Sequence, residues 1–164
     1  MGAAAIALAL VASATAASPD APKAGEPFDP VAFFTGASHG EGRLREAFKS
    51  ERRVLVDSVG REDKDGQLVL DQKLAIEGEP LRIRRWRLRQ TSPGHFTGTL
   101  TDATGPVEAQ VIGLSIRIRY PMKGGLKVES WLTAAPGARA FDNRTTITKW
   151  GLKVASLTER IEKR

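Results

Sequence analysis

The feature that most narrows the fold of this chain is a two-residue alternation of apolar and polar side chains, broken repeatedly by turn-forming residues. Leu68, Leu70, Leu74 and Ile76 fall on one parity, and Asp71, Lys73 and Glu77 on the other. Successive side chains of an extended strand point to opposite faces, so such a segment buries one face and wets the other. Turn signals recur at Lys64-Asp65-Gly66, Gly78-Glu79-Pro80, Ser92-Pro93-Gly94, Asp102-Ala103-Thr104-Gly105, Gly124-Gly125 and Pro136-Gly137. The segments between them run to about eight to twelve residues, the spacing of an all-β sandwich or barrel. No long stretch keeps a helical period.

Two changes of phase favour a barrel. Leu81 and Ile83 are odd, whereas Trp86 and Leu88 are even. An extra residue at Arg84-Arg85 would reconcile them, which predicts a β-bulge there. The register that follows sets Ile76 opposite Leu81, Leu74 opposite Ile83, Gln72 opposite Trp86, Leu70 opposite Leu88 and Asp71 opposite Arg87. Near Gly113 the phase changes again, from Val107, Ala109 and Val111 to Leu114, Ile116, Ile118 and Tyr120. A glycine kink there predicts one long strand bent around a barrel corner. Later strands are expected at Leu126 to Thr133, Ala140 to Trp150 and Leu152 to Ile161. The predicted architecture is an up-and-down antiparallel β-barrel of about 8–10 strands. One short N-terminal helix precedes it: Asp29 caps, Pro30 takes the first helical position, and Gly36 ends it. Phe33 and Phe34 on that helix are placed to plug one mouth.

The first residues address compartment rather than fold. Residues 1–17 read as a signal peptide, with an uncharged run from Ala3 to Ala17 and a small-x-small cleavage pattern at Ala14-Thr15-Ala16. No Lys or Arg precedes the run, a gap that a start codon placed too far downstream explains. Residues 18–27, with Pro19, Pro22, Gly25 and Pro27, read as a flexible leader, and residues 28–164 as the barrel domain. The expected location is the periplasm, as a soluble monomer after cleavage. The chain has no cysteine, which excludes disulfides, thiol catalysis, Cys-based zinc sites and a lipid-modified N-terminal Cys.

The net charge of +6 favours anionic partners or simply keeps the protein apart in solution. Arg85, Arg87 and Arg89 should point away from Trp86 and Leu88 onto the outer wall, and Arg117 and Arg119 likewise oppose Ile116 and Ile118. They form a candidate surface for an anionic membrane or glycan; the plainer alternative is a solvated face paired with Asp71, Glu77 and their neighbours. Stacking on nucleic acid needs several aromatics on the charged face, and the single Trp points the other way. No nucleic-acid partner is expected.

Catalytic chemistry finds little support. There is no G-x-S-x-G elbow, and no acidic pair stands out for acid–base work. His39 and His95 each neighbour glycine and lack an acidic cluster in sequence, as turn or surface histidines do. A single His inside a barrel can ligate haem, but no cofactor or metal is expected here. Asn143-Arg144-Thr145 matches a glycosylation acceptor, a weak pattern that depends on a eukaryotic secretory route. Phe33, Phe34, Trp86, Tyr120 and Trp131 are the candidate ligand contacts, inside the barrel or at its mouth.

The order of several short motifs resembles a family of small bacterial envelope proteins, many of them lipoproteins, known only as a domain of unknown function. The matching pieces are Phe33-Phe34-Thr35-Gly36 with Gly40 and Gly42, Leu70-Asp71, Arg85-Trp86, Gly98 with Asp102 and Gly105, Trp131-Leu132, and Asn143-Arg144 followed by Lys149-Trp150-Gly151. The resemblance implies an envelope location and a calycin- or lipocalin-like barrel, and brings no activity. Two departures stand out: the lipobox cysteine is missing, and Glu129-Ser130 stands before Trp131 in place of an acidic pair. The leading expectation is a non-enzymatic protein binding a lipid or other small apolar molecule. The alternatives are a filled barrel that meets anionic partners through its arginine face, and an enzyme acting on an apolar substrate.

Overall fold

The computed structural model describes residues 28–137 and 139–164. The signal-peptide and leader assignments, residues 1–17 and 18–27, lie outside the described residues apart from the point where the domain starts. One short helix, α1 (Pro30–Phe34), leads into ten strands: β1 (Gly36–Glu46), β2 (Arg52–Glu62), β3 (Leu68–Ile76), β4 (Arg82–Ser92), β5 (His95–Leu100), β6 (Val107–Ile112), β7 (Ser115–Met122), β8 (Leu126–Ala134), β9 (Ala140–Lys149) and β10 (Leu152–Lys163). Each pairs antiparallel with the next, and β10 returns to pair with β1, so the sheet closes on itself. The expected all-β, up-and-down barrel with a short N-terminal helix is the fold observed.

Two local expectations are corrected. The β3–β4 ladder runs without a bulge from Leu68 opposite Leu88, through Leu70 opposite Trp86, to Leu74 opposite Arg82. Asp71 therefore faces Arg85, not Arg87. The parity of β4 is constant because Leu81 and Ile83 stay outside, 58% and 62% exposed, while Arg84 turns inward with Trp86. The inward arginine is tolerated because Gln72 on β3 accepts a hydrogen bond from its Nε at 2.9 Å. Gly113 does not bend one strand but turns between two: Ile112 pairs with Ser115 across Gly113-Leu114. Gly113 has a φ of 61°, the conformation a two-residue hairpin loop needs. The irregular pairings sit elsewhere, between Gln90 and Ser92 and between Lys153 and Ala155.

Strict alternation of direction puts the connections at two ends. At one end α1 is tied down by its Asp29 cap, whose Oδ1 accepts from the amides of Val31 (2.9 Å) and Ala32 (3.3 Å). Its Phe33 and Phe34 rings join Phe28 and the fully buried Phe141 of β9, with Phe33 and Phe141 centroids 4.4 Å apart and tilted 72°. The helix lies so close to β2 that a Cβ on Gly60 would stand 1.8 Å from the Phe34 carbonyl oxygen. This plugged end continues into a core containing Leu68, Leu70, Trp86, Phe96, Leu100 and Ile116. A second, smaller cluster of Val54, Val56, Leu74 and Ile76 lies toward the opposite mouth.

Candidate functional site

Between the two clusters the barrel keeps a cavity of about 270 Å³. At the packing density of protein interiors that is room for roughly a dozen non-hydrogen atoms. Its wall is mainly apolar, from Val54, Val56, Leu70, Leu74, Ile76, Trp86, Ile118, Val128 and Leu132, with Phe34 closing the plugged end. Inward positions on successive strands supply these residues, as the pleat requires.

Polar side chains also enter the cavity, in two rows. On β2, β3 and β4, Gln72 Nε2 donates to Ser58 Oγ at 3.0 Å, and Gln72 Oε1 accepts from Trp86 Nε1 at 2.7 Å and from Arg84 Nε. The Arg84 guanidinium also lies 5.7 Å from the centroid of the Trp86 ring. No ion pair joins it to a carboxylate among the described residues, so its terminal nitrogens remain available inside the barrel. On β8, β9 and β10 the second row runs from Ser130 through Thr145 and Asn143 to Glu159: Ser130 and Thr145 hydroxyls are 2.7 Å apart, Thr145 Oγ1 donates to Asn143 Oδ1 at 3.3 Å, and Asn143 Nδ2 donates to Glu159 Oε2 at 3.0 Å. Gly40 makes room for that carboxylate, since a Cβ there would fall 2.1 Å from Glu159 Oε1. Burial pushes the Glu159 carboxyl above its usual range, and the Asn143 hydrogen bond and then the Arg84 charge offset this only in part. Burial likewise raises the Tyr120 phenol.

The residues singled out from sequence divide between inside and outside. Trp86 and Tyr120 both line the cavity, with centroids 5.6 Å apart and rings nearly perpendicular. Phe34 lines it too, whereas Phe33 packs behind it in the plug. Trp131 is not an interior residue: β8 turns Val128, Ser130 and Leu132 inward, which leaves Trp131 on the outer wall. There the Arg117 guanidinium lies 5.4 Å from its ring centroid, and its Nε1 donates to Glu129 Oε1 at 3.0 Å. Sequence reasoning missed Arg84, Gln72, Asn143 and Glu159. The signal for Arg84 was its even parity, shared with Trp86 and Leu88, which the apolar Ile83 next to it obscured.

The five arginines assigned to the outer wall do face outward, but three are already engaged. Arg85 pairs with Asp71, Arg117 with Glu129 at 2.6 Å, and Arg119 with Glu108 at 3.1 Å. Arg85 and then Arg61 hold the Asp71 carboxyl down at about 2. Arg87 and Arg89 make no ion pair among the described residues. His39 also points outward, its Nδ1 2.6 Å from Asp57 Oδ1 and its Nε2 3.4 Å from Glu41 Oε1. His95 is exposed beside the Pro93-Gly94 turn. No set of three or more His, Asp or Glu among the described residues is arranged to hold a metal ion.

Solved structures with the same architecture place this geometry in context. The barrel is similar to the S-type phycobiliprotein lyase CPES from Guillardia theta, with a TM-score of 0.64, 8% identity, and 82% of this chain and 90% of that chain covered. It is also similar to a protein of unknown function from Nostoc punctiforme, of the DUF3598 family, with a TM-score of 0.61 and 11% identity. That match covers 85% of this chain and 51% of the other. At such identities the likeness is one of fold, and it defines a calycin-like barrel. Within that class, the chain belongs to the family described as protein of unknown function (DUF3833), whose match spans residues 7–163. No curated protein matches the chain.

Proposed function

We propose that this barrel is a non-catalytic binding protein for a small amphiphilic lipid, held with its tail against the apolar wall and an anionic head at Arg84. The observation that carries this reading is the internal cavity of about 270 Å³ with a half-buried arginine inside it that makes no ion pair among the described residues. A half-buried cation without an ion-paired partner is partly desolvated, and an incoming anion can supply charge-assisted hydrogen bonds to it. The apolar lining supplies the remaining affinity through area removed from water. Export to the periplasm, the reading of the N-terminal residues, would set the protein among membrane-derived amphiphiles.

Native mass spectrometry of gently purified protein tests this reading, together with uptake of a medium-chain fatty acid of roughly a dozen non-hydrogen atoms, the size the cavity admits. The expected result is a bound adduct of lipid mass, or saturable uptake of one probe per chain. A protein that is ligand-free and takes up no acyl probe refutes it.

A further inference from the structure

The mouth opposite the α1 plug carries apolar side chains that the fold leaves bare. Of the eight large hydrophobic residues exposed among those described, five sit at this end: Phe48, Leu81, Ile83, Trp150 and Leu152. Phe48 is 107% exposed and Trp150 is 84% exposed. The other three, Val59, Ile112 and Leu114, lie toward the plugged end and include no aromatic.

Phe48 and Trp150 are also the two non-glycine residues with positive φ among those described, at 62° and 51°. That backbone region disfavours bulky side chains, and glycine or asparagine would relieve it. Two aromatics thus stand at turn tips where neither burial nor turn geometry accounts for them. The tips are neighbours. The β1–β2 loop is held to the start of β10 by the Ala47 amide donating to the Val154 carbonyl at 3.0 Å. Arg52 then links that loop to the β3–β4 loop, pairing with Glu46 on one side and with Glu79 at 2.7 Å on the other. Trp150, Leu152, Phe48 and Leu81 thus mark an apolar arc on neighbouring connections of one rim, interrupted between Phe48 and Leu81 by the Glu46–Arg52–Glu79 ion pairs.

Lysines stand beside this arc. Lys123, Lys127, Lys149 and Lys153 lie at the same end of β7 to β10, and none forms an ion pair among the described residues. Lys127 and Lys153 flank Thr148 from the two neighbouring strands. The Lys149 ammonium lies 4.6 Å from the centroid of the Trp150 ring. Exposed aromatics with free ammonium groups beside them match the boundary of an anionic bilayer, where rings settle at headgroup depth and lysines meet lipid phosphates. We infer that the open mouth docks on an anionic phospholipid surface through Phe48, Trp150 and Leu152, with Lys123, Lys127, Lys149 and Lys153 on the headgroups. The surface lies at the mouth of the cavity, not on the arginine wall, and it stands whether or not the cavity takes a lipid.

Co-sedimentation with vesicles tests it, using phosphatidylethanolamine with phosphatidylglycerol against phosphatidylcholine alone. The protein should partition onto the anionic vesicles at least tenfold more strongly, and added salt should weaken the binding. Phe48→Ser with Trp150→Ser should reduce it at least tenfold, while Arg85→Ala with Arg87→Ala leaves it unchanged. Replacing the four lysines by glutamine should remove most of the preference for anionic lipid. Fatty-acid uptake in the Phe48, Trp150 variant should stay as in the parent, which separates this surface from the cavity. Absence of vesicle binding overturns the inference. So does equal binding by the double serine variant, or loss of vesicle binding only in the Arg85, Arg87 variant. If the apolar arc instead drives self-association with no vesicle binding, it is an interface between copies and the inference also fails.

Discussion

Replacing Arg84 by Met separates what this residue does for the fold from what it does for a ligand. The folded protein loses the Nε hydrogen bond to Gln72, about 0.5–1.5 kcal/mol, and the contact over Trp86, about 0.5–1 kcal/mol. Gln72 Oε1 is not orphaned, because Trp86 Nε1 still donates to it at 2.7 Å. Against these losses stands relief of a partly desolvated cation, a cost of similar size that methionine does not carry. Stability by urea unfolding should therefore stay within about 1 kcal/mol of the parent. Binding should respond quite differently. A carboxylate that loses its charged partner forfeits about 1.5–3 kcal/mol, or roughly 10- to 150-fold in Kd. Fluorescence titration with a fatty acid and with its methyl ester reads the contrast: the acid weakens by that factor and the ester hardly changes. Equal affinity of the acid for both proteins would show that no anionic head meets Arg84. A loss of stability above about 3 kcal/mol would show that the guanidinium is structural.

Three further outcomes follow from the same geometry. Gly60→Ala should destabilise by about 1–3 kcal/mol, because the new methyl must displace the Phe34 carbonyl and with it the helix plug; unchanged urea unfolding would contradict the tight approach of α1 to β2. For Glu159, whose folded pKa is raised by burial, stability is fully present below the unfolded carboxyl range near ~4.3 and is lost as pH rises through the folded value. The melting temperature of the parent should accordingly fall relative to Glu159→Gln as pH climbs through that window, and a relative rise would mean that the anion is the stabilised form. Asp71, held down at about 2, has the opposite sign: its contribution is present above the unfolded range and is lost as pH falls toward 2. Its side chain is 35% exposed, so Asp71→Asn should cost no more than ~1 kcal/mol at neutral pH, and a larger loss would point to a network beyond Arg85 and Arg61.

Strand order, the N-terminal cap and most of the inward apolar wall were legible because they follow from parity and turn chemistry. Leu68, Leu70, Leu74 and Ile76 announce their face, and Asp29-Pro30 announces the helix start. The Arg84 region was not legible for a physical reason. Parity reading assumes that every inward position is apolar, and a cavity with polar groups breaks that assumption. Ile83 on the outside and Arg84 on the inside are both exceptions to it, and together they mimic an inserted residue. Gly113 misled in another way, since one glycine serves equally well as a kink or as the first loop position of a hairpin. Trp131 was read as an interior or mouth residue on residue type alone, whereas Val128, Ser130 and Leu132 take its strand's inward positions. Glu159 and Asn143 could not be paired from sequence, because their meeting depends on the register between β9 and β10.

The join between β1 and β10, where Ser38 pairs with Lys163 and Glu46 with Ala155, has a bearing on how the chain reaches its folded state. These partners lie at the greatest sequence separation of any ladder in the ring, so their loop-closure entropy is the last to be recovered. Until β10 arrives, β9 and β1 each present an unsatisfied edge, the template for pairing with another chain. Gly40 and Gly42 both lie on β1 at this join, across from Ile161 and Glu159, so the strand that waits longest is also the one with least side chain to guide it. Aggregation during refolding should therefore be governed by the slow arrival of the final strand, and a permuted chain that makes β1 and β10 neighbours in sequence should refold with a higher yield.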